Sequence, residues 1–416
     1  MKLKKITLWL SPIFLFSNLV VAKDNCDKET FWSTWYNQGG FKGFGIAPSQ
    51  EKIVKAQYEL AEHYYKGNVV TKDYSKALDL FQRAAEGGLT QAHFRLGLIN
   101  HYGKGKSKDL KEAFNHYQMA AKQNDPEAQF NLGLMYRYGL GTQRNMTQAF
   151  NWFEKSANDQ VSLNHKQCEI KKPGVLEAQF NLAQMYHYGM GVNKNTTLAA
   201  VWYDKAAAQG MKEAQFNLAK LILAGDGIEY DFERAMDNYE SAANQGLVEA
   251  QFNLAQMYHY GPSRFQNHVK AHHWYSLAAD QGFAEAKFNL GLMAQYGRGT
   301  SRNYVSAKKY YEEVMHEDIP EVYVNLGFIY HYGLGTYVDD QLANDFFIKA
   351  AKHRIPQAEY HLGIIYRDGR GVAKNLAKAD QWFQRARQQG VWEADEVLKT
   401  LAFKEPDDVY AYQVAD

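Results

Sequence analysis

The stretch AQFNLAQMYHYG stands twice in the chain, letter for letter, at residues 178–189 and 250–261. Segments in the same phase begin at Ala56, Ala92, Ala128, Ala214, Ala286, Val322, Ala358 and Ala394, so the step is 36 residues everywhere except between Ala128 and Ala178, where it is 50. A fixed period of this length marks a stack of supersecondary units, none of which can bury its apolar face alone. It overrides the division into several globular domains that a length of 416 residues would otherwise imply. The one long step places a 14-residue insertion, VSLNHKQCEIKKPG, at 161–174.

Residues 128–157 serve as the unit. With Ala128 as position one, Ala128, Leu132, Met135 and Tyr136 share one face of a helix, and Gly133 occupies a place where the copies alternate Gly and Ala, admitting a close neighbour. Gly139 and Gly141 end that helix by supplying the backbone freedom a tight turn needs. A second apolar set, Ala149, Trp152, Phe153 and Ala157, follows Asn145 and Thr147, which suit a helix N-cap. Each unit is therefore an antiparallel helix pair, and the chain is expected to be all-α, with nine copies over 56–393 and a capping helix at 394–403. The copy at 214–249, with Ile222 and Ala224 in place of the usual tyrosines, and the copy with Pro262 after Gly261 are expected to be locally irregular.

The pattern A-x-x-x-L-G-x-x-Y-x-x-G-x-G, then A-x-x-W-Y-x-x-A-A, resembles the Sel-1-like repeat family, relatives of the tetratricopeptide repeats, over residues 56–393. The resemblance implies a right-handed superhelical α-solenoid of antiparallel helix pairs that mediates protein–protein contacts, with the first helices on the concave side. It also implies that exported bacterial members serve the envelope or the host interface. The per-repeat disulfide of a cysteine-rich branch has no counterpart here.

The start, MKLKKITLWLSPIFLFSNLVVAKD, reads as a secretory leader at 1–22: Lys2, Lys4 and Lys5, then an apolar run from Ile6 to Val21, with cleavage expected after Ala22. The run is short of the about 20 residues a membrane span needs, so the chain is expected to be exported to the periplasm or beyond without a membrane span. A lead segment with the first helix turns follows at 23–55, and an acidic, aromatic tail closes the chain at 404–416. The 47 basic and 46 acidic side chains are scattered, giving a net charge of +1 and no footprint for nucleic acid. Cys26 and Cys168 form a candidate disulfide, favoured by an oxidising compartment and requiring Cα atoms within about 7 Å; two unrelated thiols are the alternative.

If positions one, five, eight and nine face inward, positions three, four, seven, ten and eleven of the first helix face outward. Position three carries Phe130, Phe180, Phe216, Phe252 and Phe288, and position four carries Asn131, Asn181, Asn217, Asn253, Asn289 and Asn325. Position ten carries Arg137, His187, His259 and His331, and position eleven Tyr138, Tyr188, Tyr260, Tyr296 and Tyr332. An Asn amide offers both donor and acceptor to a peptide backbone, and rows of aromatics receive apolar side chains or sugar faces. The alternative is that Phe packs on a neighbouring helix and Asn holds repeat register, while the position-eleven Tyr stays exposed. The leading functional reading is a non-enzymatic scaffold holding an extended segment or helix of a protein partner. A peptidoglycan- or glycan-associated envelope factor that modulates a wall enzyme comes second, and a hydrolase of β-lactamase type third.

His268 and His272 sit at i, i+4 beside His273, but no acidic or cysteine partner stands at ligand spacing, so no metal site or cofactor is expected there. Ser49 and Ser306 open S-x-x-K matches that helix capping explains. No G-x-S-x-G, H-E-x-x-H or phosphate loop is present, and the chain is not expected to be an enzyme. The formal glycosylation sequons at Asn145 and Asn195 coincide with helix caps.

Overall fold

The computed structural model describes residues 49–158, 160–163, 169–317 and 319–402. The leader at 1–22, most of the lead segment, Cys26, Cys168 and the tail at 404–416 lie outside the described residues. The chain divides into two units, one ending at Leu89 and one beginning at Thr90. The first holds one helix pair, α1 (Gln50–Lys66) and α2 (Tyr74–Glu86).

The second unit continues the same device. Its pairs are α3 (Thr90–Tyr102) with α4 (Leu110–Lys122), α5 (Pro126–Tyr138) with α6 (Met146–Ala157), α7 (Leu176–Tyr188) with α8 (Thr196–Ala208), and α9 (Lys212–Ala224) with α10 (Phe232–Asn244). There follow α11 (Val248–Tyr260) with α12 (His268–Asp280), α13 (Ala284–Tyr296) with α14 (Tyr304–Val314), α15 (Glu321–Tyr332) with α16 (Asp340–Lys352), and α17 (Pro356–Asp368) with α18 (Leu376–Gln388). A single helix, α19 (Trp392–Ala402), packs on α18. Within each pair the helices pack together, and within the second unit each second helix packs on the first helix of the next pair. Among the described residues no helix is long and apolar enough to cross a membrane.

The sequence starts and stops these helices by local chemistry. Every described second helix begins at an Asp or Asn whose side chain accepts a backbone N–H of the first turn, as Asn145 does from Gln148 and Asn195 from Leu198. Such a cap contributes about 1 kcal/mol and fixes where the helix begins. Ser306 lies inside the first turn of α14, which Asn303 caps, and Ser49 precedes α1 without a side-chain cap bond. First helices end at a left-handed glycine, such as Gly139 with φ 70°. The second glycine of the pair, Gly141, also has positive φ, and a Cβ there would collide with the Leu110 carbonyl of the preceding repeat. The Gly-x-Gly turn thus ends one helix and seats the loop on the previous repeat.

Of the two copies expected to be irregular, one is regular and one is not. The copy at 214–249 is regular: α9 ends at Gly225 with φ 63° and α10 is a full 13 residues. The copy containing Pro262 does depart, through a 3₁₀ turn at Ser263–Phe265, and the Phe265 ring lies 5.0 Å from that of Phe232, the first residue of α10. The insertion also departs from the all-α plan, pairing β1 (Gln160–Leu163) with β2 (Glu169–Lys172) as an antiparallel hairpin in which Val161 faces Lys171.

The core is built from Ala128, Leu132 and Met135 of α5 with Ala149, Phe153 and Ala157 of α6, all fully buried, and from the corresponding residues of most other repeats. Position two adds a buried polar ladder that periodicity left unassigned. Gln215 and Gln251 donate Nε2 to the carbonyls of Ala207 and Ala243 on the preceding second helix, at 3.3 and 3.2 Å. Their Oε1 atoms accept from Gln245 and Gln281, at the ends of their own second helices, at 2.9 and 2.7 Å. One amide therefore ties three chain segments together in register. Gln251→Leu leaves Gln281 without its acceptor and is expected to lower unfolding stability by about 1–3 kcal/mol, seen as a lower urea midpoint. An unchanged midpoint shows the ladder to be dispensable.

Candidate functional site

Position eleven lies in the last turn of each first helix, just before the terminating glycine, where no second helix covers it. Tyr102, Tyr138, Tyr188, Tyr260, Tyr296 and Tyr332 are accordingly 52–61% exposed, although aromatic and carried on helices that otherwise bury their apolar residues. Tyr102 and its neighbour His101 belong to the row but were passed over in the sequence; their phase from Ala92 identifies them.

Position ten sits beneath these rings. His101, His187 and His259 stack on Tyr102, Tyr188 and Tyr260 with centroids 4.8, 4.5 and 4.0 Å apart and planes within 21° of parallel. Arg137 lies over Tyr138 at 5.6 Å. His259 and His331 are buried, at 3% and 5% exposure, so these two support the surface rather than form it. Arg298 and Arg370 of the following repeats reach their Nε2 atoms at 3.5 and 3.3 Å, and His331 Nδ1 lies 2.7 Å from Asp340.

The inner rows are less available than the outward-face arithmetic implied. Phe130, Phe180, Phe216, Phe252 and Phe288 are half-buried, each with its ring 5.6–5.8 Å from the Phe or Tyr of its own second helix, as Phe180 is from Tyr203. Asn131, Asn181, Asn217, Asn289 and Asn325 donate Nδ2 to the carbonyl four residues earlier at 2.7–2.9 Å. Asn253 instead bonds the Tyr239 hydroxyl at 3.2 Å. What these amides keep for another group is their oxygen. Arg137 donates to Asn181 Oδ1 and to Gln184 Oε1 of the next repeat, and Tyr260 Oη lies 3.5 Å from Asn289 Oδ1. Three of the six amides, Asn181, Asn253 and Asn289, thus link one repeat to the next, and the other three bond within their own helix.

Under each stacked pair lies a fully buried tyrosine: Tyr117, Tyr203 and Tyr275. His101, His187 and His259 meet those rings edge-on at 6.0–6.1 Å. Among the described residues the hydroxyls of Tyr117, Tyr203 and Tyr275 and the Nδ1 atoms of the three histidines have no hydrogen-bond partner. Burial raises these phenols well above the usual range. In the copy where position ten is Gln295, the equivalent Tyr311 hydroxyl donates to Gln295 Oε1 at 2.8 Å. Histidine thus supplies a flat support for the exposed ring and leaves a buried phenol unanswered.

The His268, His272 and His273 group does not converge on a common point with an acidic partner; His268 instead meets His259 edge-on at 5.2 Å. Among the described residues no three His, Cys, Asp or Glu side chains cluster as metal ligands.

Burial, His268 and Arg298 hold His259 down to about 4, and burial with His331 does the same for His361. An unfolded imidazole titrates near 6.5, so the unfolded chain takes up these protons first as pH falls. The stability that the neutral imidazoles contribute is complete above about 6.5 and is lost progressively down through about 4. His259→Gln, which offers Tyr275 the acceptor that Gln295 gives Tyr311, is expected to raise the melting temperature and narrow its difference between pH 7 and pH 5. An equal difference in both proteins shows that His259 does not carry the acid sensitivity.

A family model described as Sel1 repeat matches nine stretches, 54–89, 90–125, 126–160, 176–211, 212–247, 248–283, 284–313, 320–354 and 356–391. A protective antigen of uropathogenic Escherichia coli, c5321, which displays an SLR fold, is 29% identical with a TM-score of 0.70 over 84% of this chain and 72% of its own. A Sel1 repeat protein of Oxalobacter formigenes is 27% identical with a TM-score of 0.51 over 78% of this chain and 90% of its own. No curated protein matches the chain. With nine in-phase matches covering most of its length and two similar solved structures of the same repeat, the chain belongs to the Sel1 repeat family.

Proposed function

We propose that the protein is an exported, non-enzymatic scaffold that holds an extended segment or helix of a partner protein against the last turns of its first helices. Sel1 repeat proteins are generally protein-interaction scaffolds. Export is inferred from the leader-like first 22 residues. The observation that carries the reading is the row of half-exposed tyrosines, one per repeat in six repeats, three of them stacked on an imidazole and two facing a guanidinium.

A tyrosine presents a large contact area with few rotatable bonds, so ordering it on binding forfeits little entropy. Stacking on a histidine that is itself packed reduces that loss further. Side chains of this kind dominate interface energies, whereas the position-four amides, already bonded within their helices, add acceptors that tolerate many backbones. The copy with Ala224 in place of Tyr interrupts the row and presents Lys220, whose ammonium lies 5.5 Å over Phe216. The middle of the surface is thus cationic and low, between Tyr188 and Tyr260.

The same flat, amide-flanked rings suit a sugar face, which keeps an envelope glycan as the second reading. Affinity capture from envelope and host extracts, followed by direct binding of the purified partner, separates the two. Tyr188→Ala with Tyr260→Ala is expected to weaken the partner complex about 10- to 100-fold with helicity and melting unchanged, since both rings are largely in solvent. By contrast, Tyr203→Ala removes a fully buried ring and is expected to lower stability by about 3–5 kcal/mol. Equal partner affinity in the folded double mutant moves the site elsewhere. Retention on purified sacculi that the double mutant loses moves the ligand class to glycan.

A further inference from the structure

We infer that His93 and His116 form a binding site for a divalent transition metal, with Zn²⁺ as the test ion. Counted from Ala92, His93 stands at position two and His116 at position 25. Elsewhere in the second unit neither place holds a histidine: position two is Gln129, Gln179, Gln215 and Gln251 in four copies and Lys287, Tyr323 or Glu359 in others, and position 25 is Trp152, Trp202, Trp274 and Trp382 in four and Asn238, Tyr310 or Phe346 in others. Both departures fall in one repeat, on facing helices α3 and α4, and the two side chains meet.

Their geometry is specific. The Nδ1 atoms face each other at 3.3 Å, with ring centroids 5.6 Å apart. Two imidazole nitrogens bound to one tetrahedral Zn²⁺ at about 2.0–2.1 Å stand about 3.3–3.4 Å apart, so the pair already has the spacing of a shared ion, a spacing at which one imidazole can also donate to the other. On the other side of the His116 ring, Glu112 Oε2 lies 3.9 Å from Nε2, one helical turn away. At that distance the carboxylate makes no hydrogen bond, but it is placed to approach Nε2–H when Nδ1 takes a metal, the arrangement that typically supports a metal-bound histidine. The His116 side chain is 15% exposed, so an ion can reach the pair, and water completes its coordination. Imidazole pairs of this kind suit Zn²⁺, Ni²⁺ or Cu²⁺ and reject Mg²⁺, which demands oxygen ligands.

The chain, purified without a histidine tag, is titrated with ZnCl₂ by calorimetry and with MgCl₂ as control. One Zn²⁺ per chain is expected, with affinity reduced about tenfold or more in His93→Gln and in His116→Trp, the residues that other copies carry at those places. Glu112→Gln is expected to weaken binding in the same direction, by about tenfold. Absence of saturable Zn²⁺ uptake, or uptake of equal strength in both histidine variants, overturns the assignment. A readout independent of variant folding is the imidazole ¹⁵N spectrum of the wild-type chain. Zn²⁺ should shift the Nδ1 resonances of His93 and His116, and a response at neither nitrogen also overturns it.

Discussion

Everything else in the molecule depends on how closely the two helices of a repeat approach, and that distance is set by a ring lying on a position that has almost no side chain. A Cβ added at Gly133 would stand 2.7 Å from the Phe153 ring, and one added at Gly97 or Gly327 would meet Tyr117 or Phe347 as tightly. Where the position is Ala183, Ala219 or Ala255, the facing rings of Tyr203, Tyr239 and Tyr275 are still essentially buried, so one methyl is accommodated by a small movement of the ring. The ring fills the interior of the pair. The alanines around it on the second helix, such as Ala149 and Ala157, leave room for the next first helix to settle against it. Burial of this kind is shared between neighbours, which is why one pair cannot be stable alone.

The same contact explains the surface. A ring that fills the middle of the pair leaves the last turn of the first helix projecting beyond the cover of the second, and that turn carries the exposed tyrosine. Its neighbour at position ten is then caught between two demands. An amide there answers the buried phenol, as Gln295 does for Tyr311; an imidazole leaves the phenol unanswered but stacks under the exposed ring. A buried hydroxyl without a partner costs about 1–3 kcal/mol, so three such choices in one chain weigh against stability. The compensation is orientation of the outer ring, and it acquires value only through something outside the fold.

The parts legible in the sequence obey rules that act within a few residues. Asn145 begins a helix, Gly139 ends one, and the period announces stacking. The parts that escaped depend on residues one repeat away. Position two had no assignment from the sequence because the partners of Gln251, the Ala243 carbonyl and the Gln281 side chain, belong to other helices. Phe252 looked outward because a surface helix hides one stripe, whereas a solenoid helix is packed by its own second helix and by neighbours on both sides, so its apolar face is wider. Position eleven was read as exposed because it precedes the glycine that ends the helix, which is again a local fact. The hairpin within the insertion rests on short alternations at Val161–Leu163 and Glu169–Lys171 that are too brief to separate from loop by pattern alone.

Residues shared by all copies chiefly report what stacking requires, so the departures carry the remaining information, and they are of two kinds. Some restore the contact they break. Tyr323 replaces the position-two amide yet bonds the carbonyl eight residues earlier, Met315 O at 2.7 Å, as Gln251 bonds Ala243 O. Ser263 likewise replaces the second glycine, and Phe265 two residues on rests on Phe232, the residue whose equivalents receive that glycine elsewhere. Such changes leave the architecture as it was and need no function to explain them. The pairing of His93 with His116 is of the other kind. It places two imidazoles where another copy stacks Tyr323 on Phe346, and adds to that ring contact a meeting of two nitrogens that packing alone does not require. A compensated departure is drift within the fold; one that builds a new polar contact, with a carboxylate placed behind it, points to a ligand.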